Sequence, residues 1–158
     1  MWFSEFHTPD VKHSIRVNRH LYSKQSDYQR IDIFETPEFG RVLTLDGNVM
    51  LTERDEFIYD EMITHVPMAV HQGIKDILVI GAGDGGVVRE LTRYDRVRRI
   101  DLVEMDPQVV EACRTYLPSN LIVNKFVPRR WWKPAVPICP AMPAAWMTAA
   151  CIFISATR

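Results

Sequence analysis

Past Glu111 the sequence has no aspartate or glutamate and past Gly86 no glycine, although its 158 residues hold 20 acidic residues and 7 glycines. Residues 1–118 carry a net charge of −6 and residues 119–158 a net of +5, the latter with 5 of the 10 prolines and 3 of the 4 tryptophans. The overall charge of −1 is therefore a cancellation between two unlike pieces. A near-neutral total exerts no global pull on nucleic acid or an anionic membrane, so neither is expected as a partner. Cysteine is also scarce: Cys113, Cys139 and Cys151 have no C-x-x-C spacing and cannot all pair, which argues against a disulfide framework or a zinc site. Met1–Asp10 lacks the basic and apolar regions of a signal peptide. The apolar stretch from Ala144 runs about 11 residues, short of the ~20 that a membrane helix needs. A cytoplasmic location is expected, with no metal.

What is present first is a pattern of strands. Ile15 and Val17, then 28–34, then Val42–Leu45 set apolar groups at period two, which buries one face of a sheet. Pro37 and Gly40 punctuate this run, and Asp46-Gly47 is a strong hairpin signal because glycine accepts positive φ. The expectation is an antiparallel β-domain over 1–52, too small to be firmly stable alone. Thr52 then reads as the N-cap of a helix in which Phe57, Ile58, Glu61, Met62, His65 and Val66 run at helical spacing toward Pro67.

The second pattern carries chemistry. An apolar run, 75–80, enters Gly81-Ala-Gly-Asp-Gly-Gly86, followed by a helical segment, a strand at 99–103 and a helix opening at Asp106-Pro107. That is a βαβ unit with a parallel sheet. Gly81, Gly83 and Gly86 fit G-x-G-x-x-G between strand and helix, where the backbone must come close to a ligand. Glu104 lies 18 residues beyond Gly86, at a strand end where a carboxylate accepts ribose hydroxyls. Dinucleotide and S-adenosylmethionine sites share this logic. Asp84 favours the second, because a carboxylate in the turn repels a pyrophosphate but suits a sulfonium or an amine. The structural alternatives are that Asp84 caps the following helix, that Glu104 is a solvated strand end, that Tyr59 is a core-edge tyrosine and that Gln29 points to solvent. His65 reads as a packed, hydrogen-bonded histidine.

Asp46-Gly-Asn-Val-Met-Leu-Thr-Glu-Arg-Asp-Glu-Phe-Ile-Tyr-Asp-Glu-Met62, His65-Val-Pro67, the glycine turn and Leu102-Val-Glu-Met-Asp106 together resemble the spermidine synthases, the polyamine aminopropyltransferases, over about residues 2–118. The resemblance implies an α/β protein: a small N-terminal antiparallel β-domain that forms a homodimer or homotetramer, then a truncated Rossmann-like, methyltransferase-type parallel sheet domain over 53–118. It implies aminopropyl transfer from decarboxylated S-adenosylmethionine, a co-substrate and not a cofactor, to putrescine, giving spermidine and 5′-methylthioadenosine. By the same resemblance Gln29 contacts the nucleoside, Gly81 and Gly83 line its site, Glu104 holds its ribose and Asp84 faces the donor's amine. Tyr59 hydrogen-bonds the diamine. Asp60 contacts the polyamine where the family often has His or Gln. The family's proton-accepting aspartate follows its fourth strand and has no counterpart here, so the chain is expected to be inactive alone. Two other readings are a non-catalytic β-domain assembly module and an S-adenosylmethionine-dependent methyltransferase, the latter leaving Tyr59 and Asp60 without a role.

Residues 119–158 fit no domain. Arg129–Lys133 mixes cations with tryptophans, as a membrane or nucleic-acid patch would, and Pro134, Pro137, Pro140 and Pro143 form a Pro-x-x-Pro series. Translation out of frame, by a frameshift or a gene-model error, accounts for more. One choice of codons for 143–154, read two bases along, yields an acidic, glycine-containing segment like the one the family has there. Sequencing the coding DNA tests this: a single-base shift should restore an acidic, glycine-containing continuation after Pro118, and its absence in every frame would refute it.

Overall fold

Asp46 and Gly47 both take positive φ, 50° and 80°. This is the turn whose twist matches an antiparallel pair, and it closes the hairpin of β5 (Gly40–Leu45) and β6 (Asn48–Thr52). The computed structural model describes residues 1–117 and, as backbone alone, the strand 151–155. The hairpin belongs to a four-stranded antiparallel meander with β3 (Arg19–Gln25) and β4 (Arg30–Thr36), in the order β3-β4-β5-β6. Before it, β1 (Trp2–Thr8) and β2 (Val11–Arg16) form a separate antiparallel hairpin. The antiparallel β-domain expected from the apolar alternation is present.

Two details of that expectation change. The run 28–34 is not all strand. Ser26 Oγ accepts the N–H groups of Tyr28 and Gln29, both at 3.0 Å, and this local bonding makes 26–29 a turn before the ladder starts at Arg30. Nor does β4 bury one face only: Ile31, Asp32, Ile33 and Phe34 are all buried. Phe34 is covered by Phe3 of β1, with ring centroids 5.1 Å apart, and Asp32 meets His20 of β3 at 2.9 Å. A strand covered on both sides loses its alternation.

Helix α1 (Glu56–Val70) has Asp55, not Thr52, at its N-cap. Thr52 ends β6, and its hydroxyl donates to Asp55 Oδ1 at 2.6 Å. The helix also runs through Pro67. Proline there removes one intrahelical N–H, while the following Met68, 1% exposed, anchors the last turn in the core.

Next come β7 (Asp76–Ile80), α2 (Gly86–Leu91), β8 (Arg99–Val103) and α3 (Pro107–Tyr116), with β7 and β8 parallel as the βαβ pattern requires. A further strand, β9 (Cys151–Ser155), pairs antiparallel on the other edge of β7. No strand was expected there. The rest of the segment read as out of frame lies outside the described residues.

The core has two parts. Met68, Ile74, Ile77, Val79, Val87 and Leu91 fill the space between α1, α2 and the parallel strands. The other part crosses between the units: Ile31, Ile33, Leu43 and Leu45 of the meander pack on Val109, Ala112, Cys113 and Leu117 at and beside α3. The small β-domain therefore buries its sheet on a helix of its neighbour. Between the two units lies a cleft.

Candidate active site

Glu104 follows the C-terminal end of β8 and reaches back to the glycine turn, where its Oε2 accepts from Gly83 N and its Oε1 from Asp106 N, both at 3.0 Å. A Cβ at residue 83 would stand 2.8 Å from Glu104 Oε2, so any larger residue there displaces the Glu104 side chain even with no ligand bound. Gly81, Ala82 and Gly85 take φ of 80°, 59° and 90°, giving the turn its left-handed path. Asp84 Oδ2 accepts from Gly86 N at 3.1 Å, at the start of α2. Asp84 thus bonds the helix start as the capping alternative requires, while its side chain also lines the cleft. Burial pushes the carboxyls of both Asp84 and Glu104 above their ordinary range.

Asp106 joins the other wall. Its Oδ1 accepts from Gln108 N at 3.0 Å and caps α3, where Pro107 sits at the first position. Its Oδ2 accepts from Ser26 Oγ at 2.6 Å and from Gln29 Nε2 at 3.2 Å. With Asp106 fully buried, these bonds fasten the turn carrying Gln29 to the wall of the cleft formed by Glu104 and the glycine turn. Gln29 is half-buried rather than directed to solvent.

The floor is acidic. Glu56 and Asp60 stand one helical turn apart on α1, and Arg89 of α2 donates to both oxygens of Glu56 at 2.9 Å. Arg89 Nη2 is 3.6 Å from Asp60 Oδ2, an atom that is buried and without a hydrogen-bond partner. Burial opposes the charge on Glu56, but the Arg89 bonds outweigh it and hold Glu56 below the usual carboxylate range. Asp60 goes the other way: burial, its contact with Glu56 and the facing Asp84 push it up to about 9. A Cβ at Gly86 would stand 1.8 Å from Asp60 Oδ2, so α2 starts with glycine because a carboxyl occupies the space beside it.

Gln29, Tyr59, Asp60, Gly81, Gly83, Asp84 and Glu104, singled out from the sequence, all line one cleft of about 930 Å³. Tyr59 lies at its edge, 52% exposed. His65 is packed and hydrogen-bonded as expected: its Nδ1 is 2.7 Å from Tyr94 Oη and its Nε2 3.3 Å from Glu90 Oε2. Glu61, His65 and Glu90 approach one another, but Arg89 and Arg93 already neutralise Glu90, and the group is an ion-pair network. Sequence reading gave no role to Ser26, Glu56 or Arg89 and saw Asp106 only as a helix start. Spacing along the chain carries no sign of partners 77 and 33 residues apart.

A strand, a glycine turn, a helix and a second strand ending in a carboxylate define a Rossmann-like unit, here preceded by an antiparallel β-domain. Residues 1–53 match the spermidine synthase tetramerisation domain and residues 56–129 the spermine/spermidine synthase domain. Over 120 residues the chain is 64% identical to the polyamine aminopropyltransferase of Clostridium botulinum, an alignment covering 76% of this chain and 42% of that protein. It is 59% identical over 118 residues to the enzyme of that name from Lachnoclostridium phytofermentans, covering 75% and 42%. The spermidine synthase structure from Thermotoga maritima superposes with a TM-score of 0.80 at 45% identity, covering 86% of this chain and 48% of that one. A spermidine synthase bound to the transition-state analogue AdoDATO gives the same score and identity, covering 85% and 46%. The chain belongs to the spermidine synthase family, of which it carries the N-terminal portion, spanning less than half the length of these curated relatives.

The packing of Asp60 on Gly86 is open to a mutant cycle. Gly86→Ala should lower the thermal midpoint sharply, and Asp60→Ala in the same chain should recover most of the loss, with a coupling of about 1–3 kcal/mol by denaturant titration. Additive effects would show that the two residues are not in contact.

Proposed function

We propose that the cleft binds decarboxylated S-adenosylmethionine and a diamine, as the N-terminal part of an aminopropyltransferase site that makes spermidine from putrescine. The observation that carries this reading is the juxtaposition of a glycine turn braced by Glu104 with a floor of three further carboxyls, Glu56, Asp60 and Asp84, against, among the described residues, the single guanidinium of Arg89. A cleft so short of positive charge suits a ligand that brings its own, and both a sulfonium with an aminopropyl arm and a diamine do so.

Each residue then has a chemical task. Glu104, bonded to the turn through Gly83 N, accepts the ribose hydroxyls, and Gly81 and Gly83 leave room for the nucleoside. Gln29, held by Asp106, closes over it from the β-domain. Asp84 faces the donor's amine. Tyr59 and Asp60 hold the diamine so that one nitrogen is directed at the methylene carbon beside the sulfonium. That nitrogen must lose a proton before its lone pair can attack, and the carbon–sulfur bond breaks as the carbon–nitrogen bond forms, releasing 5′-methylthioadenosine. No acid follows Glu111, so the 158-residue polypeptide has no counterpart of the family's proton-accepting aspartate. On this reading it binds both ligands and turns over poorly.

Assembly is part of the proposal. The match of residues 1–53 to a tetramerisation domain, together with Trp2 and Phe6 at 67% and 65% exposure, supports homo-oligomers formed through the β-domain. Among the described residues no helix is long and apolar enough to cross a membrane.

The test is direct. 5′-Methylthioadenosine should bind in calorimetry, Glu104→Gln should weaken it by ~10–100-fold through loss of charged hydrogen bonds, and spermidine formation should be far slower than in a complete relative. Light scattering should give a mass above one chain. Absence of nucleoside binding would overturn the site, and spermidine production at a relative's rate would overturn the proposed lack of turnover.

A further inference from the structure

Asp60 is the group whose surroundings call for more than binding. It is 3% exposed, and Oδ2 has no hydrogen-bond partner. Among the described residues the one nearby guanidinium is already committed, since two Arg89 N–H groups bond both oxygens of Glu56 and leave Asp60 Oδ2 at 3.6 Å. Glu56 Oε2 and Asp60 Oδ2 face the same Arg89 nitrogen, at 2.9 and 3.6 Å, so the two carboxyls lie side by side. One guanidinium does not offset two adjacent buried carboxylates, and Arg89, bonded to both oxygens of Glu56, fixes Glu56 as the ionised one. The groups facing Asp60 from other elements are Asp84 of the glycine turn, which repels a second negative charge, and Arg89 of α2. Among the described residues no other donor reaches Asp60 Oδ2.

We propose that Asp60 sits in the empty cleft as a neutral acid sharing its proton with Glu56, and that an entering ammonium group takes that proton's place. The inference rests on the diamine reading above. The exchange balances: Asp60 releases one proton to solvent, the ammonium brings one positive charge, and the charge of the cleft is unchanged. Such a site discriminates by charge, because a neutral ligand gives no return for ionising a buried carboxyl. It also makes affinity depend on pH in a defined direction. Alkyl ammonium groups stay charged between pH 6 and 8, whereas a proton must leave Asp60 throughout that range, so diamine affinity rises with pH.

Two measurements on the 158-residue chain test this. In carbon-detected NMR of the ligand-free protein, the Asp60 carboxyl, assigned by its loss in Asp60→Asn, should titrate far above the other aspartates; titration in the ordinary carboxylate range would overturn the shared proton whether or not a ligand binds. In calorimetry, putrescine affinity should rise by about tenfold per pH unit from pH 6 to 8, with about one proton released per molecule bound. Asp60→Asn, which keeps a donor toward Glu56 but has no proton to lose, should flatten that dependence. Putrescine binding without a pH slope, or with a slope that survives in Asp60→Asn and so belongs to another group, overturns the exchange alone. Failure to bind putrescine at any pH, beside a high-titrating Asp60, overturns the diamine reading and the exchange with it.

Discussion

A fully buried carboxylate holds the two halves of this structure together. Asp106 has left water, a transfer that is costly for an unpaired charge, and three donors compensate it: Gln108 N on one oxygen, Ser26 Oγ and Gln29 Nε2 on the other. The same residue starts α3, whose inner face carries Val109, Ala112 and Cys113 against the meander. Apolar packing brings the two units together, and Asp106 selects their register. Without it the turn at 26–29 has no fixed place beside the glycine turn, and the cleft has one wall.

The second organising constraint is the shortage of positive charge around the cleft. Glu56, Asp60, Asp84 and Glu104 line it, and among the described residues the arginine beside them, Arg89, is already bonded to Glu56 and Glu90. Backbone N–H groups absorb part of the imbalance, from Gly83 and Asp106 to Glu104 and from Gly86 to Asp84. The glycines serve this arrangement as much as any ligand. Gly83 leaves room for the Glu104 carboxyl and Gly86 for that of Asp60, so the turn is shaped around acids with no ligand bound.

Local chemistry was readable in the sequence wherever one short segment decides the outcome. Asp46-Gly47 has the positive φ values its hairpin needs, Asp106-Pro107 opens α3, and the glycine turn lies between strand and helix with Glu104 across from it. The site residues therefore converge as their motifs suggested. What periodicity missed are features set by a second layer. β4 lost its alternation because Phe3 and His20 cover the face that would otherwise meet water. Gln29 looked like a strand residue because its neighbours alternate, whereas a serine three positions earlier bends the backbone. Proline at 67 looked like a helix end, and the buried Met68 kept the helix going. The role of Arg89 needs α1 and α2 side by side, which no local pattern reveals.

The central claim is that one cleft is built from both units, with Asp106 as the tie between them. It is tested most directly by amide NMR of the 158-residue chain on addition of 5′-methylthioadenosine. The account predicts that Gly83, Glu104 and Asp106 shift together with Ser26, Tyr28 and Gln29 in a single saturable transition. Shifts confined to the glycine turn, with residues 26–29 unmoved, would contradict it.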